Sequence, residues 1–163
     1  MTERPPLPTP EEMREYLTRA EQSPRRRVPK ILHAPGAVFN EVFNFMMSDT
    51  YMQPHLHPGD EKVEQIYVLD GSLAVIFFGD DGEVRRVVPL TAAGTDRIEV
   101  PPFTWHTYVI LSNSATTYET MMGEYDPATW KAFCTWAPPE GEPAAPAYLE
   151  SLRKAATKAI EKS

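Results

Sequence analysis

Cysteine is nearly absent. Cys134, alone among 163 residues, cannot form an internal disulfide or supply half of a cysteine-based zinc site, so disulfide scaffolds and zinc fingers are excluded. Any metal must be held by histidine and carboxylate. Long apolar runs are missing too. None approaches the ~18–20 residues of a membrane span, and the Met-Thr-Glu-Arg-Pro-Pro start has neither the basic opening nor the apolar stretch of a secretory signal. The expectation is a cytoplasmic protein without membrane partners. Positive charge is in the minority, with 16 Lys and Arg against 23 Asp and Glu, and the resulting formal charge of −7 removes the basic footprint of a nucleic-acid binder. The local exception is Arg25-Arg26-Arg27, read as a solvated turn after Ser23-Pro24 or as a grip for a phosphate or carboxylate. There is no Ser-His-Asp pattern, glycine-rich phosphate loop or zinc-protease helix motif.

What is present is the composition of a folded domain: 42% apolar, 10% aromatic and 24% charged, enough for one core. The 17 prolines are about twice the average usage and gather toward the ends. Thr9-Pro10-Glu11-Glu12 reads as a capping box opening a helix to about Glu21, which Ser23-Pro24 stops. The segment through Pro29 and Pro35 is not regular helix. Three regions follow: a helix and proline-rich lead-in over 1–37, a β-rich middle over 38–125, and an extension over 126–163. In the extension Asp126-Pro127-Ala128-Thr129-Trp130 reads as a capped turn or short helix, and Leu149, Leu152, Ala156 and Ile160 recur at amphipathic helical spacing. That helix is expected to pack on the middle region or on a second subunit.

In the middle, five runs rich in β-branched and aromatic residues have strand length: 42–47, 65–69, 73–78, 84–88 and 107–111. Asp70-Gly71 and Asp81-Gly82 supply tight turns. Short, evenly spaced strands without intervening helical patterns point to an all-β sandwich or barrel.

Three of the four histidines lie in this region. In an extended segment His55 and His57 project to one side, as paired imidazole ligands must, and Glu64 shares its parity with Ile66 and Val68. His106 follows Pro101-Pro102-Phe103-Thr104-Trp105 just ahead of another strand. Three imidazoles and a carboxylate suit one divalent transition metal per chain, Fe, Mn, Ni, Co or Zn. His33 reads as structural and Cys134 as a buried hydrophobe.

His-x-His, then Glu, six residues and Gly resembles the first motif of the cupin superfamily, and Pro-x-x-x-x-His after a glycine resembles its second. The resemblance implies an all-β cupin double-stranded β-helix, a jelly-roll barrel, here with short N-terminal and C-terminal helices. It also implies a metal held by His55, His57, Glu64 and His106. Two positions depart from the motifs. Six residues separate His57 from Glu64 where three or four are usual, which raises Glu61 as a competing ligand, and Phe103 stands where the second motif has glycine. Glu64 is preferred because it keeps six residues before Gly71 and lies in a strand.

A closer likeness, over about residues 23–141, is to the WbuC-type cupin fold metalloproteins. It rests on Ser23-Pro24-Arg25-Arg26-Arg27, Pro54-His55-Leu56-His57-Pro58, Trp105-His106-Thr107, and the stretch from Gly123-Glu124-Tyr125-Asp126-Pro127 through Lys131-Ala132-Phe133 to Trp136-Ala137-Pro138-Pro139-Glu140. Where that family has Asn-x-His, this chain has Ile31-Leu32-His33. The family has no well-defined reaction, and its naming member is associated with O-antigen sugar gene clusters.

The resulting expectation is a mononuclear metalloenzyme of isomerase, lyase or dioxygenase type acting on a small, sugar-related molecule. Glu119 and Tyr108 are its candidate catalytic acid–base groups, and Glu119 is also placed to hydrogen-bond a ligand histidine from behind. The alternatives are a non-catalytic cupin binding a carbohydrate or carboxylate ligand, and a barrel that the metal only stiffens. A homodimer is expected from the resemblance.

Overall fold

A computed structural model describes residues 3–163; Met1 and Thr2 of the lead-in lie outside the described residues. Helix α1 spans Pro10–Gln22, and its capping box forms as the sequence indicates, with the Glu12 N–H donating to Thr9 Oγ1 and the Thr9 N–H to Glu12 Oε2. Ten strands follow: β1 (Arg27–Ile31), β2 (Phe39–Met47), β3 (His55–Leu56), β4 (Glu64–Asp70), β5 (Ser72–Phe78), β6 (Val84–Thr91), β7 (Arg97–Val100), β8 (His106–Ile110), β9 (Ser114–Met122) and β10 (Ala132–Phe133). Helix α2, Ala145–Glu161, closes the chain. No helix among the described residues is long and apolar enough to cross a membrane.

The strands form two five-stranded sheets, β1-β2-β9-β4-β7 and β10-β3-β8-β5-β6, with every neighbour antiparallel. Between them lies a core that includes Met46, Ile66, Val68, Leu73, Val75, Leu90 and Ile110. Each sheet's outer face carries a helix. Helix α1 sets Tyr16 and Leu17 against Phe43, Phe45 and Tyr118, and α2 sets Ala145, Leu149, Leu152 and Ala156 against Ala74, Ile76, Phe78 and Val109. Strand β5 is therefore covered on both faces, which is why Leu73–Phe78 reads as an unbroken apolar run instead of alternating. Arg153 fastens α2 to the barrel by donating to the carbonyls of Ile110 (2.5 Å) and Ser48 (2.6 Å).

All five expected strand runs are strands, with ends shifted by up to three residues. The structure adds β1, β3, β7, β9 and β10. The lead-in and the extension thus each donate a strand, β1 and β10, to the sheets. Strand β9 escaped the pattern because Thr116, Thr117, Glu119 and Thr120 interrupt it, although all four are buried. The Asp126–Trp130 segment is a capped turn: Asp126 accepts from the Thr129 N–H through its carbonyl and from the Ala128 N–H through Oδ1.

Phe103 has φ +56°, and its side chain is 56% exposed. Its N–H donates to the His57 carbonyl at 3.0 Å, tying the two histidine-bearing loops together. This is the position where the cupin motif has glycine, so the chain keeps the left-handed turn without the residue that adopts it freely. A left-handed L-residue costs about 1–2 kcal/mol, part of which a glycine returns as unfolded-state entropy. Phe103→Gly is therefore expected to melt at or slightly above the wild-type temperature. Phe103→Val, β-branched at the same φ, is expected to melt below it by about 1 kcal/mol or more of stability. Circular dichroism melts of the two variants check this.

Candidate metal centre

Strand β3 is two residues long, and its His55 sits opposite His106, the first residue of β8. His57 lies two residues further on, and Glu64 opens β4 in the facing sheet. The short strand, one strand start in each sheet and the Phe103 turn thus bring four polar side chains to one end of the barrel interior. All four are buried. One nitrogen from each of the three imidazoles lies within 4.8 Å of its counterparts.

The other nitrogens explain the orientation. His55 Nδ1 lies 2.9 Å from the Gln53 carbonyl, His106 Nδ1 lies 2.9 Å from the Thr104 carbonyl, and His57 Nδ1 lies 2.8 Å from the Trp130 carbonyl. A carbonyl oxygen only accepts, so all three Nδ1 atoms carry a proton, and in the neutral ring each Nε2 then keeps its lone pair. This is how metal-ligating histidines are held. Glu64 Oε2 faces two of these nitrogens, His57 Nε2 at 3.0 Å and His106 Nε2 at 3.1 Å. A first-row ion bonded at about 2.1 Å to adjacent N and O ligands at right angles sets them about 3.0 Å apart. The donor set therefore fits a divalent cation, which the three histidines could hold together with Glu64.

Electrostatics agree with the geometry. Burial pushes the His55 imidazole well below its usual range, reinforced by His106, Lys131 and His57, and so keeps it neutral. Burial alone would raise Glu64, but the imidazoles of His106 and His57 that face it outweigh this and hold the carboxylate well below its usual range.

Behind Glu64 is a second pair. Tyr108 Oη lies 2.7 Å from Glu64 Oε1 and 2.8 Å from Glu119 Oε1, yet a phenol has one proton to give. Glu119 Oε2 already accepts from Asn44 Nδ2 (2.5 Å) and Thr117 Oγ1 (2.6 Å). The arrangement is satisfied when Tyr108 donates to Glu64 and a protonated Glu119 Oε1 donates to Tyr108. In keeping with this, burial and the neighbouring Glu64 charge push Glu119 up to about 8, against the hydrogen bonds from Thr117 and Asn44. Glu119 thus reaches Glu64 through Tyr108; it touches no histidine, contrary to the expectation that it bonds a ligand imidazole.

Glu61, the competing candidate, lies in an exposed turn beside Gly59 and Gly123 and takes no part in the cluster. His33 is apart as well, its Nδ1 3.0 Å from the Glu41 backbone N. Cys134 is buried, and burial pushes its thiol up, away from the reactive thiolate form.

A cavity of about 250 Å³ opens onto the cluster, and its walls include three residues of positive charge: Arg25, Arg27 and Lys131. The arginine run is more than a solvated turn. Arg27 is 8% exposed, donates to Thr50 Oγ1 and the Tyr51 carbonyl (both 3.1 Å) and pairs with Glu140, which Arg25 also meets at 2.9 Å. Arg26 points away, to Asp49. Sequence reasoning did not place Lys131, Trp130 or Asn44 at the site, although Lys131 stands in a stretch that carries the WbuC-type likeness; they reach it through strand pairing and the return of the extension.

Two antiparallel sheets folded into a jelly roll around three imidazoles and a carboxylate give the double-stranded β-helix fold of the cupins, and the three buried histidines could hold a metal ion. Residues 9–90 match the family described as Domain of unknown function (DUF6016), and the chain belongs to that family. No curated protein matches the sequence. Among solved structures, the fold is similar to an uncharacterized conserved protein with a double-stranded β-helix domain from Klebsiella pneumoniae. That match has TM-score 0.56 and 13% identity, over 75% of this chain and 88% of the other. It is also similar to the capsular polysaccharide assembling protein CapF from Staphylococcus aureus, with TM-score 0.52 and 15% identity over 66% of this chain and 32% of CapF. The chain spans about a third of the length of CapF, and at these identities the likeness concerns the fold.

The raised Glu119 has a measurable consequence. Its folded value, about 8, lies above the ordinary 4.5, so the folded chain holds the extra proton across that window and stability declines as pH rises through it. His55, depressed from 6.5, acts in the opposite direction but is spent above about pH 6.5. In chelator, wild-type stability is therefore expected to fall between pH 6.5 and 8.5 by about 1 kcal/mol per unit. Glu119→Gln, neutral at every pH, is expected to lose less over the same interval. Urea titrations at stepped pH read the difference.

Proposed function

We propose that the chain is a divalent transition-metal cupin and acts as a metalloenzyme on a small molecule, with His55, His57, Glu64 and His106 as the ligands. One observation carries the reading: three buried histidines each spend Nδ1 on a backbone carbonyl, and two of them, His57 and His106, turn Nε2 toward one carboxylate. Burying four polar side chains at the end of an apolar barrel is costly unless something binds them together. The ion, Fe, Mn, Ni, Co or Zn, would supply Lewis-acid polarisation of a substrate oxygen, or oxygen chemistry if it is iron.

The protein's own groups have separable tasks. His55 and His106, fixed by carbonyls two residues upstream, and His57, fixed by Trp130, hold the ligand atoms in place. Glu64 brings the negative charge that makes a buried dication tolerable. Tyr108 and Glu119 hold a proton between two carboxylates at the cavity wall, and we assign them as the acid–base pair for a substrate placed beside Glu64. A purely stiffening or merely binding barrel has no use for such a pair, which favours an enzyme of isomerase, lyase or dioxygenase type. A sugar-related substrate is supported by the likeness of residues 23–141 to the WbuC-type cupins and, in fold, by that to CapF.

Elemental analysis of protein purified without a polyhistidine tag tests the proposal, together with melts in chelator. The expected result is close to one equivalent of a single transition metal per chain, lost in His57→Ala, with a lower melting temperature on chelation. An empty wild type, indifferent to chelator and to the substitution, overturns it.

A further inference from the structure

The overall charge of −7 contrasts with what lines the cavity. Arg25 and Arg27 share Glu140, one carboxylate for two guanidiniums. Lys131 has no hydrogen-bond or ion-pair partner among the described residues, although every other cation on this wall has one. Glu64 faces the histidines and Glu119 shares its proton with Tyr108, and neither forms a direct ion pair with the lysine.

The position of Lys131 is built in. The residue before it accepts from His57 Nδ1, the residue after it pairs with Leu56 in the β10–β3 ladder, and the Cys134 N–H donates to the Pro54 carbonyl at 3.1 Å. The backbone of this segment is thus laced along the strand that carries His55 and His57, and the Lys131 side chain lines the same cavity. Burial is the largest influence on its ammonium and pushes its pKa down, with Arg27 and Arg25 adding to the effect against Glu64 and Glu119. A half-buried cation with no direct ion-pair partner is an unfavourable arrangement that a bound anion reverses.

We propose that the cavity takes a small organic anion, a carboxylate or phosphate monoester, whose charged group is recognised by Lys131 at the wall while the rest of the molecule faces the histidine cluster. Where the molecule lies rests on the metalloenzyme reading; its charge does not. The inference separates an acidic substrate, such as a sugar acid, a keto acid or a sugar phosphate, from the neutral sugar that the likeness to sugar-cluster cupins would equally permit. At about 250 Å³ the cavity is at the small end of ligand pockets, which favours a compact anion over an oligosaccharide.

Calorimetric titration with malonate, inorganic phosphate and the neutral malonamide tests this on metal-loaded wild type, Lys131→Gln and Lys131→Arg. The metal content of each sample is measured in parallel. The expected result is saturable binding of malonate or phosphate but not malonamide, weakened tenfold or more in Lys131→Gln and largely kept in Lys131→Arg, with metal content unchanged. Which of the two anions binds distinguishes the carboxylate from the phosphate source. Retained metal with no anion binding, or anion binding equal in wild type and Lys131→Gln, overturns the anion site and leaves the metal reading standing. Lys131-dependent anion binding in a wild type that holds no metal leaves the anion site standing and overturns the metal reading instead.

Discussion

Glu64 is a carboxylate at the inner end of an apolar barrel, and a buried carboxylate is tolerable only if positive or hydrogen-donating groups surround it. Much of the cluster follows from meeting that requirement. One oxygen faces two imidazole nitrogens, and the other takes the Tyr108 proton. Tyr108 is then satisfied by Glu119, which is steadied by Asn44 and Thr117. Thr117 and Glu119 are thereby committed to the inner face of β9, where an ordinary core strand would carry apolar residues, while Thr116 on the other face meets Met13 of α1.

The helices complete the scheme from outside. A sheet that must present polar groups to a cavity has less apolar area to give to the core between the sheets. The outer faces compensate: α1 covers Phe43, Phe45 and Tyr118, and α2 covers Ala74, Ile76 and Val109, so several strands are buried on both sides. The acidic surface and the basic cavity wall are likewise parts of one charge distribution, in which cations are concentrated where the chain has few anions to spare.

What could be read from the sequence divides along physical lines. Strands whose two faces are both apolar, such as Leu73–Phe78, announced themselves through β-branched and aromatic runs, and Thr9 and Glu12 announced the helix they cap. The convergence of His55, His57, Glu64 and His106 was legible because two lie at strand spacing and the others open strands at motif positions. Strand β9 was not, since its polar residues are buried by function and break the pattern that burial usually writes. The place of Lys131 and Trp130 at the site was hidden too, although Lys131 stands in a stretch that carries the family likeness: they belong to the site only because a two-residue strand pairs back across the barrel, and nothing local in Thr129–Phe133 encodes that pairing. Phe103 was legible as a departure, and the structure gives its meaning as a left-handed turn retained under a less suitable residue.

The three histidines are not aimed by equivalent means. His55 and His106 are each oriented by a carbonyl two residues upstream, so their rings are set as soon as their own loops form. His57 is oriented by Trp130, 73 residues later. During synthesis, therefore, all four ligand side chains have been added to the chain before the carbonyl that fixes the last of them exists. Between His106 and Trp130 the growing chain holds every side chain of the cluster but not the carbonyl that aims the last of them. The aim of His57 thus depends on the extension returning to pair β10 with β3, and a chain cut short before that segment would keep the residues of the cluster without their full geometry.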